Sequence, residues 1–263
     1  MPAAVRTDSV LTTLPITTLS LLTATQTALA NAGFPVAVFD DNKAAGNYVI
    51  YEIVLNSTAT KGKVYFRLGA SMVGTLISMS QSILDTWNST TDVGTNASAV
   101  SSSANINPNA VVNFAAFRHP EMILVMVYQS ATVNMLVGYV RPATKYSWWN
   151  EDEAPFCFVP DANGWVNYPC ANINPFGSTT EAYNLATYDS MVNRNRKSGR
   201  RDLKPSPDVK SPYTEGITAT YSADVCIGAT NGTARLDTIT VSPTEIYTIL
   251  SGSTGNGLCL RTT

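Results

Sequence analysis

Near the start of the chain, Leu21, Leu22, Thr25, Ala28, Leu29 and Ala32 recur at helical spacing, and Gly33 and Pro35 follow as a left-handed cap and a stop. The spacing predicts one helix from about Thr18 to Ala32. Beyond it the period falls to two, or to short apolar runs. Val36 to Phe39, Tyr48 to Leu55 and Val64 to Leu68 read as strands, and the Asn, Ser, Thr and Gly of Asn56 to Lys63 suit a hairpin loop between the last two. Met72 to Leu84 fits a strand, although its continuation through Ile83 to Asn88 fits a short helix equally well. Ser89 to Asn109 is almost wholly Ser, Thr, Asn, Ala and Gly, and predicts an exposed excursion outside the core.

Three more strands are expected at Val111 to Phe117, Met122 to Tyr128 and Val133 to Val140, the last two forming a hairpin across Gln129 to Thr132. From Ala143 to about Pro212 no period is sustained, and Pro, Asn and aromatic residues accumulate, among them Trp148, Trp149, Trp165 and Tyr168. A stretch of this length without regular structure is uncommon inside a compact domain and is usually functional or docked on something else. The tail returns to strands at Ile217 to Tyr221, Val225 to Ile227, Leu236 to Val241, Ile246 to Leu250 and Leu258 to Arg261.

The pattern therefore predicts a mainly β (α+β) protein: β-sandwich or barrel-like sheets, one N-terminal helix and a long irregular extended segment. Residues 1–142 hold the helix and the main β domain, with strands from 36 to 140 as the principal sheet assembly. Residues 143–212 form an extended aromatic- and proline-rich arm, and 213–263 a C-terminal β segment or small β module.

Composition changes this picture in one respect. The 263 residues are 44% hydrophobic, enough for a sizeable core, but only 14% charged, against about one-quarter in an ordinary soluble domain. With 17 basic and 19 acidic residues the net charge is −2, so no global field draws in nucleic acid or an anionic membrane. Val10 to Ala32 has some look of a secretory leader, with Arg6 before it and Ala28-Leu29-Ala30 within it. Asp8 in the region that should be positive, and the interruptions at Thr12, Thr13, Thr17, Thr18, Ser20, Thr23, Thr25 and Thr27, argue against a leader and against a membrane span.

Candidate chemistry is sparse. Cys157, Cys170, Cys226 and Cys259 permit three disulfide pairings, of which Cys157–Cys170 and Cys226–Cys259 are local; with no C-x-x-C pair and one histidine, metal ligation is not supported, and buried thiols are the expectation. His119 lies in Phe117-Arg118-His119-Pro120-Glu121 at a strand-to-strand corner. No Gly-x-Ser-x-Gly elbow accompanies it, so a hydrogen-bonded corner residue is favoured over a catalytic base.

Glu151, Asp152 and Glu153 follow two tryptophans, but adjacent loop carboxylates do not by themselves give the spaced pair that glycoside hydrolysis requires. Arg194, Arg196, Lys197, Arg200 and Arg201 form a basic cluster without interleaved aromatics, which favours a contact with an acidic protein surface over nucleic acid. Trp148, Trp149 and Trp165 join it as candidate protein contacts, because large aromatics dominate burial at subunit seams. Gly252 to Gly257 lacks the lysine of a phosphate loop and reads as a strand connection.

Three stretches resemble structural proteins of tailed-bacteriophage virions, particularly tail, neck or baseplate components. They are Val64-Tyr65-Phe66-Arg67-Leu68 leading to Asp85-Thr86-Trp87-Asn88; His119-Pro120-Glu121-Met122 with Gly138-Tyr139-Val140-Arg141-Pro142 downstream; and Ile246-Tyr247-Thr248-Ile249-Leu250 through Gly257-Leu258-Cys259-Leu260-Arg261. The resemblance covers about half the chain. It implies β-rich subunits in a ring or tube, no cofactor, and long arms that clasp neighbouring virion proteins. This chain is longer than the small tail-completion proteins, which points to an added module or to another place in the particle. The expected function is thus that of a non-enzymatic structural subunit of a virion, assembled in the host cytoplasm, with copies of itself and other virion proteins as partners. A receptor-binding or carbohydrate-binding β module using Trp148, Trp149, Trp165 and Tyr168 as a stacking platform is the alternative. Neither reading expects a membrane or specific nucleic acid as a partner.

Overall fold

The computed structural model describes residues 3–41, 47–54, 62–84, 86–95, 101–102, 105–120, 122–130, 134–140, 144–145, 159–160, 166–168, 203–205, 208–210, 217–220, 224–229, 234–250 and 256–263. In chain order the elements are β1 (Val5–Leu11), α1 (Thr18–Asn31), β2 (Ala37–Asp41), β3 (Asn47–Val54), β4 (Lys63–Val73), β5 (Leu76–Leu84), β6 (Thr86–Asn88), β7 (Val93–Thr95), β8 (Ser101–Ser102), β9 (Val112–His119), β10 (Met122–Tyr128) and β11 (Asn134–Val140). Short strands follow, β12 (Thr144–Lys145), β13 (Val159–Pro160), β14 (Val166–Tyr168), β15 (Leu203–Pro205) and β16 (Asp208–Lys210). The chain closes with β17 (Ile217–Thr220), β18 (Val225–Ala229), β19 (Thr238–Ser242), β20 (Glu245–Ile249) and β21 (Asn256–Arg261). The protein is mainly β with a single helix among the described residues, as its pattern predicts, and its named strand pairs are antiparallel.

The helix forms where the 3.6-residue period places it. Thr17 caps it reciprocally: its Oγ1 accepts from the Ser20 N–H at 3.0 Å, and the Ser20 Oγ accepts from the Thr17 N–H at 2.9 Å. Its end is a left-handed cap at Gly33 (φ +93°), with the Phe34 N–H reaching back to the Leu29 carbonyl at 3.0 Å. The buried face carries Leu21, Leu22, Ala28 and Leu29, together with Thr25. That threonine sits among apolar residues because its hydroxyl donates to the Leu21 carbonyl at 2.8 Å, which satisfies it within the helix.

Two sheets close on this helix. One has the order β2-β3-β4-β5-β8 and the other β1-β9-β10-β11, and α1 lies against β3 and β4 of the first and β1, β9 and β10 of the second. A single apolar core holds residues of both sheets and of the helix. Phe34 is its aromatic hub, with ring centroids 5.0 Å from Tyr51, 5.3 Å from Phe66 and 5.4 Å from Tyr139, the edge-on arrangement that suits the ring quadrupoles. In β9 five residues, Val112 and Phe114 to Phe117, are at most 1% exposed. Both faces of that strand are covered, which is why its sequence reads as an apolar run and not as an alternation.

A buried glutamine stitches the two sheets together. The side-chain amide of Gln81, on β5, donates to the Leu136 carbonyl at 2.6 Å and accepts from the Gly138 N–H at 3.0 Å, so it serves β11 as one residue of a neighbouring strand would. Gly138 (φ +132°) is confined to glycine, because a Cβ there would stand 2.0 Å from the Ile123 carbonyl oxygen.

Several expectations need correction. Val5–Leu11 is a strand and joins β9 along its whole length, so the principal sheet assembly starts well before residue 36. The ambiguous stretch after Met72 is the second arm of a hairpin, β4–β5, turning at Gly74 (φ +64°), and Thr86–Asn88 is a strand and not a helix. The polar excursion from Ser89 to Asn109 is not wholly outside the core: Ile106 is 2% exposed and exchanges backbone hydrogen bonds with Ile77. One isoleucine in polar surroundings gives no period, yet burying a single aliphatic side chain contributes about 1.5–3 kcal/mol, enough to anchor a loop.

At the C-terminal end a third large sheet has the order β15-β18-β21-β20-β19, and β16 pairs with β17 in a smaller one. Alternate residues of the third sheet face two ways. Cys226, Ile239, Tyr247, Ile249 and Cys259 form a small cluster of their own, whereas Leu250 and Leu260 enter the main core. The C-terminal strands therefore share apolar packing with the helix and the first two sheets.

Candidate functional site

Among the described residues, four places carry polar or aromatic chemistry that bears on function. The first is built on His119, at the β9–β10 corner, where Met122 pairs back with it across the hairpin. Its imidazole Nε2 lies 3.3 Å from Asp224 Oδ2, and the Arg261 guanidinium lies 3.4 Å from Asp224 Oδ1. The His119 side chain is fully enclosed and that of Asp224 is 4% exposed. The corner histidine is therefore hydrogen-bonded, as the sequence suggests, and its partner lies 105 residues away on the C-terminal segment. Two backbone bonds continue the tie, from the Arg261 N–H to the Asp224 carbonyl at 2.8 Å and from the Ala4 N–H to the Arg261 carbonyl at 2.9 Å. This arrangement fastens β1, β9, β18 and β21 at one point.

The second place is the cysteine pair. Cys226 and Cys259 stand directly opposite on β18 and β21, and both are buried thiols. Burial pushes the Cys226 thiol up to about 11, while Tyr247, hydrogen-bonded to it, opposes that shift. Cys226 is consequently held as the neutral thiol at neutral pH. Among the described residues no group of three or more His, Cys, Asp or Glu is placed to hold a metal ion.

The third is a half-buried aromatic group. The Phe39 ring stacks on Tyr48 at 5.6 Å between centroids, Trp87 lies 5.5 Å from Phe39 and 6.0 Å from Tyr48, and the exposed Arg67 holds its guanidinium 4.6 Å above the Tyr48 ring. Trp87 thus meets aromatic neighbours of its own chain, one of the packing roles expected for the tryptophans. No spacing in the sequence joins Phe39, Tyr48, Arg67 and Trp87; the β2–β3–β4 pairing brings the first three together and the β6 strand supplies the last.

The fourth is the outer margin of β1. From Val5 to Val10 all its side chains are exposed, with Val5 at 63% and Val10 at 53%. Arg6 Nε donates to Asp8 Oδ1 at 2.8 Å, and the Arg6 guanidinium stands 5.9 Å from the Phe117 ring on the neighbouring strand.

The candidate protein contacts Trp148, Trp149, Trp165, Arg194, Arg196, Lys197, Arg200 and Arg201 lie outside the described residues, as do Glu151, Asp152, Glu153, Cys157 and Cys170. No helix among the described residues is long and apolar enough to cross a membrane. No protein-family model matches this chain, and no curated protein matches it.

Proposed function

We propose that this chain is a non-enzymatic structural subunit of a bacteriophage virion, in its tail, neck or baseplate, acting through self-assembly and contacts with neighbouring virion proteins. The observation that carries the reading is a mainly β framework whose outward positions are apolar at the strand margins. Val5, Val10, Val38, Val54, Val73 and Val93 are all more than half exposed, in a chain with only 14% charged residues. Exposed apolar side chains on a charge-poor surface suit coverage by neighbouring subunits. The resemblance of three stretches to virion proteins points the same way. The test is an image of native particles in which this chain carries a label. A label at repeated positions of tail, neck or baseplate is expected, and particles that assemble normally without the chain would overturn the reading.

A second reading, a receptor-binding or carbohydrate-binding module, is favoured by the Phe39–Tyr48–Trp87 group with Arg67 above it, since a half-buried aromatic face beside a cation is suited to stacking on a sugar. Titration with glycans, followed by tryptophan fluorescence, checks it. A saturable change abolished by Trp87→Ala supports this module, and no change with any glycan removes it.

A further inference from the structure

Sheet edges are open templates for pairing, and proteins that stay solitary blunt them with bulges, prolines, brevity or a covering segment. Nearly every edge among the described residues is blunted in one of these ways. β2, β16 and β19 carry register shifts. β6, β7, β8, β12, β13, β14 and β15 have three residues or fewer, and β15 also holds Pro205. β11 has β13 lying beside it. β1 is the exception: it pairs with β9 over seven unbroken positions, from Val5↔Arg118 to Leu11↔Val112, with no bulge and no proline, and no described strand lies outside it.

We propose that β1 is a self-association edge, on which the β1 strand of a second copy of this chain pairs antiparallel about a two-fold axis through Thr7. The proposal rests on the reading of the chain as a self-assembling subunit and names the surface that does it. The choice of a second copy follows from register and charge. When a strand pairs antiparallel with its own copy, backbone groups facing outward meet only if the axis passes through a residue position. An axis through Arg6 sets arginine against arginine, and one through Asp8 sets carboxylate against carboxylate, both of which are repulsive. An axis through Thr7 sets Arg6 of each copy opposite Asp8 of the other, giving four charges of alternating sign.

The N-terminal limit of the pairing is also defined, because the Ala4 N–H is already committed to the Arg261 carbonyl. Five positions, Val5 to Ser9, are then available to each copy. The two four-stranded sheets would become one continuous sheet of eight, with exposed Val5 opposite Ser9 of the second copy at both ends of the paired span.

Sedimentation velocity of the full chain over a wide concentration range tests the proposal. A reversible dimer, weakened by salt, is expected. Asp8→Arg turns both cross-strand pairs repulsive and weakens the dimer roughly tenfold, and adding Arg6→Asp restores it by reversing both charges. Thr7→Cys, placed on the axis, gives a disulfide-linked dimer under mild oxidant, whereas Val10→Cys, opposite Ala4 beyond the paired span, does not. Association that ignores the charge reversals and leaves Thr7→Cys uncrosslinked puts the interface elsewhere and overturns the proposal alone, with the self-assembling reading intact. A wild-type chain that stays solitary at every concentration also overturns it, and labelling of native particles then decides the virion reading separately.

Discussion

The two sheets around α1 and the C-terminal sheet use similar strand residues but hold by different means. In the first region, long strands bury Phe66, Leu68, Phe114 and Phe117 at no more than 1% exposure, and α1 closes the space between the two sheets. In the second, the described residues of β18 to β21 hold a cluster of five buried side chains, two of them cysteines, and Leu250 and Leu260 reach the main core. Polar ties add what the small cluster lacks: Asp224 receives His119 from one side and Arg261 from the other. Apolar area thus secures the main region, whereas hydrogen bonds at one buried point fix the position of the C-terminal sheet. Burial is non-directional and scales with area; a buried hydrogen-bonded group specifies one arrangement because every other leaves it unsatisfied.

The contrast can be broken most strongly at Phe66. Phe66→Ala removes a ring packed against Phe34 and Tyr51, and should lower stability by about 3–5 kcal/mol, read as a shift of the denaturation midpoint. A loss near zero would mean that the core is not where the stability lies. Asp224→Ala comes next. It removes the carboxylate that ties the buried imidazole and Arg261 together and should cost about 1–3 kcal/mol, seen in hydrogen exchange as faster opening of β18 and β21 while β3, β4 and β10 keep their protection. Equal loosening of both regions would show that they open as one unit.

A smaller effect is expected at Cys226. Its thiol is raised from 9.0 to about 11 in the folded protein, so stability from this group is complete below about pH 9. It falls as pH rises towards 11, because the unfolded chain ionises first. Alkylation of Cys226 should therefore be slow at neutral pH and should track opening of the C-terminal sheet; rapid labelling of the folded chain would contradict its burial. The smallest change belongs to Glu52 at the surface of the main region. The hydrogen bond from Lys63, and after it that from Tyr65, holds the Glu52 carboxyl below its ordinary value. Its contribution is present at neutral pH and disappears as pH falls through the lowered value, and Glu52→Gln at neutral pH should cost less than about 1 kcal/mol.

The helix and two hairpins, β3–β4 and β10–β11, were legible before the fold was known, because period, caps and turns are local. The Leu21–Leu29 spacing, Gly33, and the apolar runs of β3, β4, β9, β10 and β20 all read correctly. β1 did not, since all but one of its seven side chains are exposed and an edge strand with neither face buried leaves no alternation to detect. The aromatic group on β2, β3, β4 and β6 was equally hidden, as its members come from four segments with nothing in common but adjacency in space.

The amino-acid order by itself determined where the helix and the apolar-run strands lie and that β3–β4 and β10–β11 turn back as hairpins, since each depends on residues a few positions apart. Tertiary structure alone decided that Gln81 would complete β11, that Ile106 would enter the core, that His119 would meet Asp224, and that β1 would be left as the one long open edge among the described residues. Each of these depends on which distant surfaces pack together, and no local period encodes the partner of a residue 105 positions away.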